Sequence, residues 1–443
     1  MLKHLRALKH QIFDSMLGRR TLKNTIWLVM ERVFTLILGV FITALVARYF
    51  KPESYGLFNY ALAFVTMFTA ISTLGLETLT VKALVEKKYD EGTILYTSLF
   101  LRIIGGIILS ILAFFIIRII EPGDQVVHLL VLLLSLMMVI KSLDVIDYWI
   151  QSKQKARLSA MIRMAVYMIS SGLKVLLVFG GGTLTHYALI YIVDALVVGT
   201  AILIAYLRIR DDKSAWNIQW TYAKDVLSKS YYLILSGLMI TVYMRIDQVM
   251  IGSMIKQKEE LGYYSVAVKL AEMWYFVPLA LITSFQPIVF QAKKDNEEQY
   301  YRTLKLLFTL VFWISIGFGL FITLFSGPIV HLLYGVDYKP SSLMLTISVW
   351  SGTFAILGSA RSIWLVMEDL NRFTLVFTIF GAGTNVILNL FLIPIYGGIG
   401  AAFATLISQI VVALIIPLMF KRTRDITLLM LRSVLLEVLW RDV

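Results

Sequence analysis

The order of residues points to an all-α integral membrane protein of about twelve transmembrane helices in two six-helix lobes. Composition is the first reason: 59% of the 443 residues are hydrophobic and 16% are charged, where soluble domains run near 45–50% and about 25%. A mean hydropathy of +0.80 agrees. The second reason is the length of the apolar runs. Crossing a hydrocarbon layer of about 30 Å takes roughly 20 apolar residues in a helix, and about twelve runs of that length follow one another here. The third is period. Barrel strands alternate polar and apolar over about ten residues, and these runs are unbroken.

The first six runs lie near 24–47, 57–80, 94–120, 126–150, 158–180 and 184–207. Six more lie near 230–254, 265–290, 304–326, 341–367, 373–395 and 398–420. The longest loop, 208–229, is expected to be a cytoplasmic linker between an N-lobe, 24–207, and a C-lobe, 230–420. A weak internal echo supports two lobes of one orientation: Ser54–Ala61 (Ser-Tyr-Gly-Leu-Phe-Asn-Tyr-Ala) opens span two, Glu260–Ala267 (Glu-Leu-Gly-Tyr-Tyr-Ser-Val-Ala) opens span eight, and Gly56 aligns with Gly262.

An even number of spans puts both ends of the chain on one side. The N-tail, the even-numbered loops and the C-tail hold most of the Lys and Arg outside the spans, whereas the odd-numbered loops hold Arg48, Lys51, Arg118, Lys256, Lys258 and Lys339. The positive-inside rule therefore makes both termini cytoplasmic. The formal charge of +13 is read as this topology signal and not as a nucleic-acid footprint, because the basic residues are scattered between apolar runs. Residues 1–23 interleave Leu2, Leu5, Ile12, Phe13 and Met16 with Lys3, Arg6, Lys9, Arg19 and Arg20, the pattern of an interfacial helix. The short apolar region and small-residue cleavage site of a signal peptide are missing. Residues 421–443 read as an amphipathic cytoplasmic tail. Zero cysteines and five scattered histidines exclude disulfides, thiolate chemistry and Cys-ligated metal, so no cofactor is expected.

Charges inside the spans carry the functional signal. A charge at bilayer depth costs about 2.5–3.5 kcal/mol even on the lenient insertion scale, so such residues face a protein interior or a wet cavity. Arg163, Lys229 and Lys305 sit near cytoplasmic ends and are set aside as snorkelling. Arg32, Lys141, Lys174, Arg245 and Arg361 are deep, and Arg102 and Lys269 are intermediate. These seven are the candidate anion ligands, since guanidinium binds phosphate oxygens in bidentate fashion. Glu31, Asp144, Asp194, Asp247 and Glu272 are the candidate ion-coupling acids, with Asp147 and Glu77 also in the acidic set. Lys141 with Asp144 and Lys269 with Glu272 are three residues apart, a spacing at which helical neighbours can neutralise one another, and for these pairs that reading and a ligand role both stand open. Arg245 and Asp247 lie about 200° apart on a helix and cannot pair within their own span. Most aromatic residues belong to the apolar core or the interfacial belt, and Tyr263, Tyr264, Trp274 and Tyr275 are candidates for stacking on sugar rings.

Three stretches carry a family resemblance. The first is Ala47–Gly56 (Ala-Arg-Tyr-Phe-Lys-Pro-Glu-Ser-Tyr-Gly) running into Asn59-Tyr60-Ala61 and Leu74-Gly75-Leu76-Glu77. The second is Arg245-Ile246-Asp247-Gln248 to Ile251-Gly252, then Leu261–Lys269 and Trp274–Pro278. The third is Asn385–Asn389 to Pro394, then Gly397, Gly400-Ala401-Ala402 and Ala404-Thr405. In order and spacing across the whole chain the sequence resembles the repeat-unit flippases of the polysaccharide transporter family, in the superfamily that includes MATE exporters and lipid II flippases. It departs at Phe50-Lys51, where Leu-Gly is usual before Pro52, and at Lys82, where Arg is common.

The resemblance implies a V-shaped two-lobe bundle with a central cationic cavity that opens to either membrane face in turn. It implies an undecaprenyl-diphosphate-linked oligosaccharide as cargo, with Arg32, Arg245 and Lys269 holding the diphosphate and Glu31 and Asp247 coupling transport to H⁺ or Na⁺. It further implies a bacterial or archaeal plasma membrane, with a polysaccharide polymerase and glycosyltransferases as pathway partners. An enzyme is not expected, because the outward loops are short and the longest, about 327–340, offers only His331, Asp337 and Lys339. The alternative is a MATE-like multidrug or cation exporter, against which stands the net basic interior.

Overall fold

The computed structural model of the protein describes residues 16–210 and 216–433, and all regular structure among them is helical. The expected interfacial helix over 1–23 falls largely outside the described residues, as does the tail beyond 433. The helices are α1 (Met16–Ser72), α2 (Leu76–Glu86), α3 (Glu91–Ile120), α4 (Gln125–Ile140), α5 (Val145–Ser152), α6 (Ala156–Phe179) and α7 (Leu184–Ile209). They continue as α8 (Trp220–Met254), α9 (Glu259–Met273), α10 (Phe276–Asp295), α11 (Glu297–Tyr334), α12 (Ser341–Met367), α13 (Arg372–Ile410), α14 (Ile416–Met419) and α15 (Lys421–Arg432). Among the described residues, 10 helical stretches are long and apolar enough to cross a membrane. Dividing α1 at Lys51 and α13 at Gly397, where the backbone leaves helical geometry, resolves them into the twelve expected spans. The protein is a multi-pass membrane protein.

Spans one and two were expected to be joined by a loop and are not. At Lys51 the backbone adopts φ 62°, ψ 167°, and Pro52 restarts the helix. Proline bars the preceding residue from helical geometry, and its own fixed φ suits a first turn. The conformation at Lys51 is one that essentially only glycine adopts, at a cost of about 1–3 kcal/mol. Its ion pair with Asp337, 2.6 Å long and well exposed at both ends, returns under about 1 kcal/mol. Lys51→Gly is therefore expected to stabilise the protein by about 1 kcal/mol after glycine's own entropic cost, seen as a rise of a few degrees in the unfolding midpoint in detergent. An unchanged or lower midpoint would show that the turn carries no strain.

Four other expected spans are interrupted. Leu74 and Gly75, with φ 51° and 58°, separate α1 from α2. A 3₁₀ turn, Lys141–Asp144, separates α4 from α5, a break at Trp274 and Tyr275 separates α9 from α10, and a π-helical turn, Val411–Ile415, follows α13. Each interruption frees carbonyls or N–H groups from the helical ladder, and the last three lie beside charged candidates.

By packing, the chain forms two units. One comprises the chain up to Tyr49 with Phe64–Leu238, and the other comprises Phe50–Ala63 with the chain from Met239 onward. In the first, Trp149, Ile146, Leu95, Tyr206 and Tyr222 belong to one core, which Trp216 of the linker joins. Thr97 accepts the N–H of Gln219, tying the described part of the linker to α3. In the second, Tyr300, Phe308, Val311, Ile356, Ala360 and Phe377 pack together. The tail helix α15 buries Thr423, Ile426, Thr427 and Met430, and Ile426 and Met430 join that core. Large apolar side chains such as Phe179, Ile119, Leu324 and Leu332 remain exposed; in lipid, which is as apolar as they are, that exposure carries no hydrophobic penalty.

Within the second unit, the α1 segment after Pro52 lies directly on α9. A Cβ added at Gly56 would sit 2.8 Å from the Gly262 nitrogen and against the Lys258 carbonyl, and one added at Gly262 would run into the Pro52 carbonyl. The two glycines aligned in the sequence echo are thus each other's neighbours, and both lack a side chain so that two backbones can touch.

Candidate functional site

The second unit holds a polar knot built on Asp247 of α8. Tyr264 of α9 donates to Asp247 Oδ2 at 2.7 Å and Asn389 of α13 to Oδ1 at 2.7 Å. Thr405 donates to Oδ2. Asn389 also donates to Asn385 Oδ1 at 3.0 Å, and Asn385 donates to Thr405 at 3.3 Å. Asp247 is only 4% exposed, and both asparagines are fully buried. Four neutral groups from three segments therefore surround one carboxylate, and none of the described residues brings a cation to it.

Asp247 and Tyr264 line a cavity of about 380 Å³ within this unit, together with Glu272, Tyr275, Arg361 and Thr405. Arg361 of α12 is 2% exposed. It donates through Nη1 to the Ala413 carbonyl at 2.6 Å and through Nη2 to the Val412 carbonyl at 3.1 Å. Both acceptors belong to the π-helical turn, whose shifted register leaves carbonyls available. The guanidinium also lies 4.6 Å from the centre of the Phe377 ring. It has no carboxylate partner among the described residues.

The remaining candidates divide clearly. Arg245 is paired with Glu272 at 3.4 Å, so the expected Lys269–Glu272 neutralisation does not occur, and Lys269 is exposed. The interhelical partner wins because α9 ends one residue after Glu272 and the carboxylate meets α8 there. Lys141 and Asp144 form no ion pair in the structure either, although the 3₁₀ turn that holds them sets i and i+3 on one face. In the first unit, Arg102 is buried and donates to the Tyr148 hydroxyl at 2.8 Å. Lys174 is buried between the rings of Tyr191, 4.6 Å away, and Tyr167, 5.6 Å away. Asp194 is half-buried, and its Oδ1 has no hydrogen-bond partner. Arg32 is exposed and Glu31 half-buried on α1.

Arg163, which its place near a helix end marks for snorkelling, instead pairs with Asp147 at 3.2 Å and lies close enough to Glu31 for their charges to interact. Helix position alone does not show which charged neighbour the tertiary fold supplies. The other neutral members of the knot, Asn385, Asn389 and Thr405, were also missed as site residues. Two amides four apart, Asn385 and Asn389, on one face of an apolar span were a legible sign, because buried amides in hydrocarbon need partners. Of the aromatic candidates, Tyr264 is committed to Asp247, Trp274 stacks on Phe318 at 4.6 Å, and Tyr263 meets the edge of Tyr338. Only Tyr275 lines the cavity without such a commitment to the knot.

Residues 21–293 match the family described as polysaccharide biosynthesis protein. The chain belongs to that family. Residues 233–391 also match the MatE family. The capsular polysaccharide biosynthesis protein CapF of Staphylococcus aureus is 21% identical over 90% of this chain and 99% of its own length. Among solved structures, the lipid II flippase MurJ in an inward closed conformation superposes with a TM-score of 0.73 at 18% identity, covering 94% of this chain and 91% of that one. An inward-facing multidrug resistance MATE family transporter of the MOP superfamily gives 0.65 at 15% identity, covering 91% and 99%. This polysaccharide biosynthesis family member therefore has the MOP-superfamily fold, as the resemblance implied.

Proposed function

We propose that the protein is an alternating-access flippase that moves an undecaprenyl-diphosphate-linked oligosaccharide repeat unit from the cytoplasmic to the outer leaflet of a bacterial or archaeal plasma membrane. The cargo serves O-antigen, capsule or exopolysaccharide assembly, with glycosyltransferases supplying it and a polymerase consuming it. The protein itself performs no covalent chemistry. The observation that carries this reading, beside family membership, is that Arg102, Lys174 and Arg361 are buried within apolar helices and held by a phenol, aromatic rings and carbonyls, with no carboxylate partner among the described residues. Positive charge so placed is costly unless an anion or water faces it, and an anionic lipid-linked glycan supplies the anion. Arg32, Arg245 and Lys269 are assigned to the diphosphate, and Lys141 adds positive charge to the N-lobe. Asp247 is assigned to ion coupling, with Glu31, Asp144, Asp194 and Glu272 as further acids on the route.

The direct test is reconstitution. Proteoliposomes containing the protein are expected to move a lipid-linked glycan to the opposite leaflet, and Arg32→Ala and Arg245→Ala are each expected to slow it at least tenfold with membrane insertion intact. Wild-type rates in both variants would remove those two assignments. The MatE match over 233–391 favours a second reading, export of organic cations. That reading requires efflux of a cationic dye from cells carrying the protein, whereas the flippase reading predicts none.

A further inference from the structure

The cavity of the second unit has a chemistry of its own. Of its charged lining groups, Glu272 is held by Arg245 and Asp247 by Tyr264, Asn389 and Thr405. Arg361 is the one cation among the lining residues; it has no carboxylate partner among the described residues, and its Nε is buried without a hydrogen-bond partner. An anionic oxygen entering the cavity would meet that group. Part of the hydroxyl lining shares one polarity. Ser359, Ser362 and Thr378 donate to carbonyls of their own helices. Their protons are engaged and their lone pairs remain, so they present acceptors. A ligand that satisfies them must bring O–H donors. Phe354, Phe377, Tyr243 and Tyr275 also line the space, offering ring faces to C–H surfaces, and the buried Tyr243 hydroxyl has no hydrogen-bond partner.

A molecule rich in hydroxyls, with C–H faces and one negative charge, meets all three demands. The volume, about 380 Å³, is at the lower end of small-molecule sites, which run roughly 300–1,000 Å³. It admits one or two sugar rings and excludes a long polyprenyl chain. We propose that this cavity is a subsite for an acidic sugar of the transported glycan, its carboxylate on Arg361 and its hydroxyls on the Ser359, Ser362 and Thr378 oxygens. The inference rests on the flippase reading and narrows the substrate class to glycans that carry a uronate-type residue.

The test uses the purified full-length protein and isothermal titration with three probes: a glucuronate-terminated disaccharide, the same disaccharide ending in glucose, and inorganic phosphate. The acidic disaccharide is expected to bind saturably, with the neutral one at least tenfold weaker. Arg361→Gln should weaken the acidic probe at least tenfold. Gly358→Leu gives an independent reading, because Gly358 lines the cavity and a Cβ there meets no atom within 4 Å. The added side chain should occupy the space and abolish binding while the protein elutes as wild type in size exclusion, and this holds even if Arg361→Gln fails to fold. Equal affinity for the two disaccharides, or undiminished binding in Gly358→Leu, overturns the proposal. Phosphate displacing the acidic disaccharide at equal concentration would make the site a phosphate site and overturn the sugar assignment. Wild-type protein that flips a lipid-linked glycan in proteoliposomes but binds neither disaccharide would remove the subsite and leave the flippase standing.

Discussion

Asp247→Asn is expected to leave the protein folded and to make glycan flipping insensitive to the ion gradient, with the driven rate falling at least tenfold. Asparagine keeps the shape of the side chain and can still accept a hydrogen bond from Tyr264 or Thr405, so the knot is largely retained. What it loses is the negative charge. In the native protein the carboxyl is 4% exposed and is met only by hydrogen bonds from neutral groups, each contributing about 1.5–3 kcal/mol when the acceptor is charged. A bound cation would supply the missing compensation, and binding that depends on the conformation of the knot would tie ion occupancy to the transport cycle. Asp247→Ala is predicted to be worse in a different way. It strands the Asn389 amide and two hydroxyls in a dry site at about 1–3 kcal/mol each, and so lowers the unfolding midpoint as well. The measurement is flipping in proteoliposomes with and without an imposed sodium or proton gradient. If Asp247→Asn still responds to the gradient as wild type does, the coupling assignment is wrong.

Gly262→Val is expected to give almost no monodisperse protein, less than about a tenth of wild type by size exclusion. Overpacking a core ordinarily costs about 1–3 kcal/mol because side chains move aside. Here the obstacle is backbone, the carbonyl of Pro52, and that carbonyl belongs to the first turn after the Lys51 bend, which has no freedom to retreat. Gly172→Ala is the control, a glycine within α6 whose added Cβ meets nothing within 4 Å. It should be neutral or stabilising by up to about 1 kcal/mol, since alanine replaces glycine inside a helix. Normal yield of Gly262→Val would mean that the segment after Pro52 does not rest on α9.

Much of the protein was legible in residue order. Lipid removes the option of leaving backbone groups unpaired, so an apolar run of sufficient length has one available structure, a helix. That is why twelve spans, the membrane class and the alignment of Gly56 with Gly262 could be read from runs and spacing. The bends at Lys51 and Gly397 were not, because each takes a single residue and a hydropathy pattern averages over many.

The site shows the same division. Sequence identified the charged residues that could not sit in lipid, Arg361 and Asp247 among them, because the cost of turning a charge toward lipid follows from its residue type and its depth within an apolar run. Which partner neutralises which charge depends on helices far apart in the chain. Glu272 goes to Arg245 and not to Lys269, Asp147 to Arg163, and Asp247 to three neutral donors. Local spacing sets only which side chains share a face. The packing of α8, α9, α12 and α13 sets which of them meet, and therefore which cation is left for a ligand.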